Sequence, residues 1–308
     1  MKWEIKMYDI AILGHIVIDE IKRGSFQARS VGGAATYSTL ASKTYGAKAL
    51  LVSKIGKDFP ENLLSFLIKR KVDLACVKQV SAPTTKFKLI YENSERILFL
   101  MDRCEPILPD DLCKPCLNAK TFHIGSVINE IPLSTLRKIY SKNKYISLDV
   151  QGYVRKIDKT GKVFLSEWNE AERFLKLVNV VHADIYEAKV VAKTDVPSKA
   201  AETLVEMGAD IALVTLGEKG SYIGTREGVF YVPTIKPSKL VDSTGAGDVY
   251  TVIFTLEYQV SHDVKWAVAA ATAAASFVVE FPGPTGFPDK HMIYKRARQL
   301  LNRIRKVI

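Results

Sequence analysis

Late in the 308-residue chain, the run Asp242-Ser-Thr-Gly-Ala-Gly-Asp248 combines residue types that can handle a phosphoryl group. Gly245 and Gly247 flank Ala246, so the backbone can turn tightly and aim several N–H groups at one point. Helix-forming residues follow from Val249, and a helix start adds its positive end at the same place. Such a nest suits an anion. Asp248 stands at its rim, where a carboxylate repels a resting phosphate but can accept the proton of an attacking hydroxyl. The expected chemistry is phosphoryl transfer to an alcohol, with Gly245, Ala246 and Gly247 holding the transferred group and Asp248 as base. The simpler reading is a glycine-rich turn capped by an acid. The run is not a Walker loop, because no Gly-Lys-Ser or Gly-Lys-Thr ends it. Nor is it a dinucleotide fingerprint, because Tyr250 stands where a third glycine would fall.

Other residues could complete such a site. Asp19 closes an apolar strand, where a carboxylate is costly unless satisfied, and it could accept bonds from two adjacent hydroxyls. Gly32 and Gly33 precede a helix and would let backbone lie against a small polyhydroxylated molecule. Thr215, Gly217, Lys219 and Gly220 close a strand with room for a nucleotide. Arg155 follows a strand end, where open α/β sheets bind ligands, and offers a fixed cation. The four cysteines include Cys113-Lys-Pro-Cys116. That spacing suits a metal or a redox pair, but no second pair completes a zinc site, so structural cysteines, with a disulfide as one form, are expected.

Strand-like runs alternate with helical patterns and must position these residues. Strands are expected at residues 9–13, 48–55, 121–124, 145–149, 179–182 and 211–216. Helices are expected at 34–45, 60–71, 133–142, 166–177 and 198–207. This alternation implies a parallel sheet covered on both faces. Residues 16–30, extended without a helix, and a hairpin over 85–101 with its turn at Asn93-Ser94 break the rhythm and would form a small β lid. The last sixty residues are expected to be helical at 249–260, 263–279 and 289–308.

The Asp242–Asp248 run closely resembles the second signature of the ribokinase-like (PfkB) carbohydrate kinases, with Ser243 in place of the usual threonine. Gly14 and Asp19, Val31-Gly32-Gly33-Ala34-Ala35, Lys54-Ile55-Gly56-Lys57-Asp58-Phe59 and Thr215-Leu216-Gly217-Glu218-Lys219-Gly220 are similar to other family segments in the same order. The resemblance implies an α/β fold: three αβα layers, a mainly parallel central sheet and a small β-sheet lid, in one domain over 1–308 with the lid at about 16–30 and 85–101. It implies an ATP-dependent kinase, with substrate at Asp19, Gly32 and Gly33 and donor at Thr215–Gly220. Gly283 falls where the family lines the adenine pocket. Asp184-Ile-Tyr-Glu187 occupies the place of the family's Asn-x-x-Glu motif, which organises magnesium. Asp184 keeps an oxygen ligand but loses the amide donor and adds charge. Segments 103–109 and 148–155 resemble the myo-inositol kinase branch, which implies a cyclitol acceptor with Gln151 and Arg155 among its partners. Tyr37 stands where classical ribokinases carry asparagine, which disfavours ribose. Another sugar, a nucleoside, a keto-deoxy sugar acid or fructose 6-phosphate is the alternative acceptor.

Composition agrees and excludes other classes. Hydrophobic residues make 47% and charged residues 25% of the chain, which argues against disorder, collagen and multiple membrane spans. The longest uncharged stretch, residues 266–279, is too short and alanine-rich for a membrane span. Without a secretory pattern at the start, a cytoplasmic location is expected. The net charge of +11 favours anionic partners. The basic stretch from Lys295 to Lys306 raises nucleic-acid binding as a rival. Its charges interleave with Ile293, Ala297, Leu300 and Ile304, so a solvated amphipathic face is expected, with neither nucleic-acid nor membrane partners. Exposed lid strands could support a homodimer.

Overall fold

The computed structural model describes residues 7–92 and 95–308; residues 1–6 and the expected turn at Asn93-Ser94 lie outside them. Its strands are β1 (Ile10–Leu13), β2 (Val17–Arg23), β3 (Phe26–Gly32), β4 (Ala49–Gly56), β5 (Cys76–Val80), β6 (Lys86–Glu92), β7 (Glu95–Asp102), β8 (Thr121–Ile124), β9 (Tyr145–Asp149), β10 (Arg155–Ile157), β11 (Val163–Leu165), β12 (Val180–Asp184), β13 (Ile211–Thr215), β14 (Ser221–Thr225), β15 (Gly228–Val232) and β16 (Arg305–Lys306). Ten of them form one sheet in the order β16-β15-β14-β13-β12-β9-β8-β1-β4-β5. The pairs from β13 to β5 are all parallel, and the three from β13 to β16 are antiparallel.

Alternation within single strands shows why helices cover both faces. In β1, Ile10 and Ile12 enter one buried cluster while Ala11 and Leu13 enter another. A strand apolar on both sides needs cover on both. The first cluster packs under the helices Ala34–Tyr45, Ala246–Ser261 and Val264–Val278. The second packs under Leu133–Tyr140, Ala171–Leu175 and Pro197–Glu206. This is the three-layer arrangement expected.

The two irregular segments form a separate four-stranded sheet, β3-β2-β6-β7. A further hairpin, β10–β11, was not foreseen; Gly161 at its turn accepts a 2.8 Å bond from Leu100 of β7. Among the described residues no helix is long and apolar enough to cross a membrane.

Three sequence expectations need correction. Residues 166–177 are not one helix: Trp168 stacks on Tyr153 at 4.6 Å, which fixes the segment before Ala171 as a turn, and only Ala171–Leu175 is helical. The C-terminal helix stops at Ala297, and Arg305 and Lys306 pair with Tyr231 and Phe230, because β15 offers an open edge. The helix expected from Val249 begins at Ala246.

Cys113 is bonded to Cys76, the first residue of edge strand β5, while Cys116 is a buried free thiol. The bridge therefore joins residues 37 apart, rather than closing the Cys113–Cys116 spacing. A loop of that length loses chain entropy worth about 3–4 kcal/mol when cross-linked. Cys76→Ser should lower Tm by roughly 5 °C or more under non-reducing conditions. Equal melting of wild type and variant in scanning calorimetry would show that the bridge contributes nothing.

Candidate active site

A cleft of about 1360 Å³ opens at the carboxyl ends of the parallel strands, between the large sheet and the four-stranded one. Asp149, Asp184 and Thr215 end β9, β12 and β13, and all three line it. Strand ends gather there because parallel strands share one direction, leaving their terminal side chains beyond the helices' cover.

The glycine-rich run forms one wall. Gly245 has φ +80° and caps the helix Ala246–Ser261. A Cβ on it would lie 2.0 Å from Cδ1 of Tyr37, so both the backbone angle and the tyrosine ring demand glycine. Gly247 is already helical, and the left-handed argument does not apply to it. Its added Cβ would instead meet Cε1 of His182 at 2.9 Å. First-turn N–H groups have no carbonyl four residues back within the helix, so this end can bind an anion. Asp242 braces the run from behind: its two oxygens accept bonds from the N–H groups of Thr244 and Gly283, each at 3.0 Å.

Beneath the run lies an ion pair that the sequence reading did not single out. His182 Nδ1 bonds Asp149 at 2.8 Å, and its Nε2 meets the Thr215 hydroxyl at 3.1 Å. Both ionisable partners are 3% exposed. Burial opposes the imidazolium, but Asp149, with help from Glu187 and Asp184, raises the His182 pKa to about 9. Asp149 is held below its ordinary value in return, burial being outweighed by His182 and the Gln151 N–H. A histidine inside an otherwise apolar strand was the available signal.

Asp248 lines the cleft in the first turn of its helix. Among the described residues nothing bonds its carboxylate, which is half-buried and opens onto the cleft. Burial and the nearby Asp149 raise its pKa to about 7, against the pull of His182, Arg155 and Arg96. Asp19, across the cleft on β2, is also raised to about 7, by burial first, and its carboxylate is likewise unbonded among the described residues. Gly32, on the neighbouring strand β3 where it pairs with Val17, is buried and does not line the cleft. A Cβ there would sit 1.8 Å from Asp19 Oδ2, so glycine makes room for the acid. Gly33 does line the cleft. Arg155 and Gln151 face the same end; Arg155 Nη1 makes a 3.3 Å bond to the carbonyl of Val127. The four-stranded sheet closes this end with Val17, Phe87, Leu89 and Leu98, and with Arg96, which the sequence reading passed over.

At the opposite end, Thr215 leads into a turn over Gly217–Lys219, where Gly217 has φ +58°. Gly220, with φ +87°, passes so close to β15 that a Cβ would meet Val232 O at 2.2 Å. These residues line the cleft together with Ile235, Pro237, Leu240, Ala275 and Val279, a largely apolar stretch of its wall. Gly283 is not in that lining; its part is the bond to Asp242.

Asp184 caps the helix Ile185–Ala192 and receives the N–H groups of Tyr186 and Glu187, while Glu187 accepts from the Asp184 N–H. This is the simple capping role, yet Glu187 is not a surface acid: it is 6% exposed. Burial and the charges of Asp184 and Asp149 raise its pKa to about 8. A divalent cation would relieve that excess of negative charge, so the pair fits magnesium held partly through water. Among the described residues no group of three His, Cys, Asp or Glu could hold a metal, so donor phosphates would complete its shell.

Comparison with known proteins agrees with this geometry. Residues 1–290 match the model of the pfkB family carbohydrate kinases. The chain is 28% identical to a cytidine kinase of Thermococcus kodakarensis, over 82% of this chain and 89% of the relative. It is 25% identical to an inositol 3-kinase of Arabidopsis thaliana, over 78% and 65% respectively. A pyrophosphate-dependent kinase in the ribokinase family, solved with a pyrophosphate analog and myo-inositol, superposes with a TM-score of 0.79 at 22% identity, covering 89% of this chain and 96% of that one. With the glycine-rich helix start, the unbonded acid beside it and a match across nearly its whole length, the chain belongs to the pfkB family of carbohydrate kinases and is a phosphotransferase.

Proposed function

We propose that the protein transfers the γ-phosphoryl group of magnesium ATP to a hydroxyl of myo-inositol. The observation that carries this reading is the Asp248 carboxylate: half-buried, unbonded among the described residues, poised near neutrality, and set between the anion-binding helix start and the polar end of the cleft. The donor lies along Thr215, Gly217, Lys219 and Gly220 with its base against the apolar stretch of wall. Its terminal phosphoryl rests on Gly245, Ala246 and Gly247. Asp184 and Glu187 hold magnesium, which neutralises charge on the donor phosphates. The acceptor sits between Asp19, Gly33, Gln151, Arg155 and Asp248, with Gly32 supporting Asp19. Asp248 takes the hydroxyl proton as the phosphoryl moves in line. The four-stranded sheet acts as a lid that excludes water from the transfer.

A cyclitol offers six ring hydroxyls and no charge, which suits the unpaired Asp19 and the side chains of Gln151 and Arg155. A nucleoside is the second reading. It is favoured by the cytidine kinase relative and by the apolar lid wall of Phe87, Leu89 and Leu98, against which a base could lie. Exposed Phe26 and Met101 on the lid sheet suit a homodimer through the lid, and neither nucleic acid nor membrane is part of this reading.

Purified protein screened for ADP release should show kcat/KM for myo-inositol roughly 10²-fold or more above that for cytidine or ribose, because a site built to bond hydroxyls rejects acceptors that leave its groups unpaired. Higher efficiency with cytidine would establish the second reading and leave the kinase intact.

Asp248→Asn should keep donor affinity and lose at least ~10³-fold in kcat, within the range for a missing base. In wild type, kcat/KM should be highest above pH 7 and fall as pH drops through about 7, because a protonated Asp248 cannot take a proton. Asp19, also near 7, should steepen that limb. A flat profile between pH 5 and 8 would remove both acids from the mechanism.

Gly245→Ala should cost ~10²-fold or more in kcat by displacing the anion-binding N–H groups. Gly247→Ala should cost less, since its backbone is helical and only the edge of the His182 ring must yield. The reverse order in steady-state kinetics would contradict this steric account.

A further inference from the structure

Two buried ionisable groups, His15 and Glu130, take no part in the chemistry above, and both are 0% exposed. His15 lies between β1 of the large sheet and β2 of the lid. The chain crosses between the two sheets at four places: at Gly14–Ile16, at Gly33, at residues 81–85 and after Asp102. All four meet at His15. It is itself in the first. Its carbonyl oxygen is where a Cβ on Gly33 would collide, at 2.5 Å. Its Nδ1 meets the hydroxyl of Thr85 at 2.8 Å, and its Nε2 donates to the carbonyl of Glu105 at 2.9 Å. Thr85 in turn accepts from the Cys104 N–H at 2.9 Å, tying the third crossing to the fourth.

The same residue reaches the acceptor end through its backbone: its main-chain N–H donates to the Glu130 carboxylate at 3.1 Å, while its ring serves the crossings. The Glu130 carboxylate also collects the N–H groups of Val127 and Ile128 and the Ser126 hydroxyl. Burial works against its charge, yet His15 and these bonds hold its pKa below the ordinary value. Val127 packs against Val17, Phe87 and Leu89 of the lid, and its carbonyl receives Arg155. One continuous polar chain thus runs from the lid crossings to an acceptor-facing arginine.

We propose that His15 and Glu130 are positioning residues that couple the seating of the lid to the placement of Arg155, setting acceptor affinity and the exclusion of water without touching either substrate. This rests on the acceptor lying between Asp19 and Asp248. Buried networks of this kind are high-stakes, because a half-satisfied member destabilises one geometry in favour of others.

The test is steady-state kinetics of His15→Phe, His15→Asn and Thr85→Val, with myo-inositol and cytidine run in parallel. ADP and phosphorylated acceptor are both quantified. His15→Phe removes both ring bonds; His15→Asn keeps an acceptor for the Thr85 hydroxyl; Thr85→Val cuts only the crossing bonds at nearly constant volume. Acceptor KM should rise roughly 3- to 30-fold for His15→Phe and Thr85→Val, with a smaller rise for His15→Asn. Donor KM should stay within about twofold, and ADP release should exceed acceptor phosphorylation in proportion. Unchanged acceptor KM with one-to-one stoichiometry, or equal rises in both KM values that track a lower Tm, would overturn the proposal. Should His15→Phe fail to fold, the other two variants carry the same outcomes. Which acceptor the wild type prefers decides the substrate question separately, and the positioning role is judged on the acceptor that turns over.

Discussion

The hydrogen-bonded ion pair of Asp149 and His182 is the interaction on which the rest of the site depends. It joins the ends of two adjacent parallel strands, β9 and β12, and reaches a third through Thr215. The helix Ala246–Ser261 rests on it, with Gly247 against the imidazole. Burying such a pair is costly, and removing one partner would leave an uncompensated charge in the floor of the cleft. Its position also explains the electrostatics above it. Burial first and then Asp149 push the Asp248 pKa up, while His182, Arg155 and Arg96 pull it down, so the acid stands at about 7.

That balance is local to a cleft that is otherwise overloaded with acids. Asp19, Asp149, Asp184, Glu187 and Asp248 line it together with Glu218 and Asp242, against Arg23, Arg96, Arg155, His182 and Lys219. Among the described residues, Asp149 alone of these acids has a counter-charge in hydrogen-bond contact. Asp19, Glu187 and Asp248 are raised and Asp184 is engaged in capping, which leaves room for a cation and for hydroxyl donors to enter. The +11 charge of the chain therefore lies elsewhere, largely on the surface, where ion pairs contribute little to stability.

Steric constraint complements this charge pattern. Gly245 yields to Tyr37, Gly32 to Asp19 and Gly247 to His182. In each case the glycine is set by a side chain from another part of the chain. Two act by lack of room alone, and only at Gly245 does a left-handed backbone add to it. Tyr37 thus shapes the glycine-rich wall of the cleft while itself lining it.

The sequence alone determined the parallel α/β layering, because runs such as Ile10–Leu13 are apolar at successive positions and can only be covered on both faces. It also marked the Gly245–Asp248 run, since short-range glycine spacing and a following helix suffice to define a nest. Segment 16–30 was legible as extended from its lack of a helical pattern, and 85–101 as a hairpin from two runs about a polar turn. Tertiary structure decided what depends on partners distant in sequence. Cys76 and Cys113 pair because β5 passes beside the segment before Lys114–Leu117, which no spacing rule encodes. Arg305 and Lys306 leave the helical pattern because an open strand edge offers backbone bonds that local propensity does not weigh. His182 and Asp149 are 33 residues apart, and each read singly looks like a polar residue in a buried strand. Only their pairing beneath Gly247 gives them a place in the site. The proton affinities of Asp248 and Asp19 follow the same rule, since burial and neighbouring charge are properties of the folded cleft and not of any stretch of sequence.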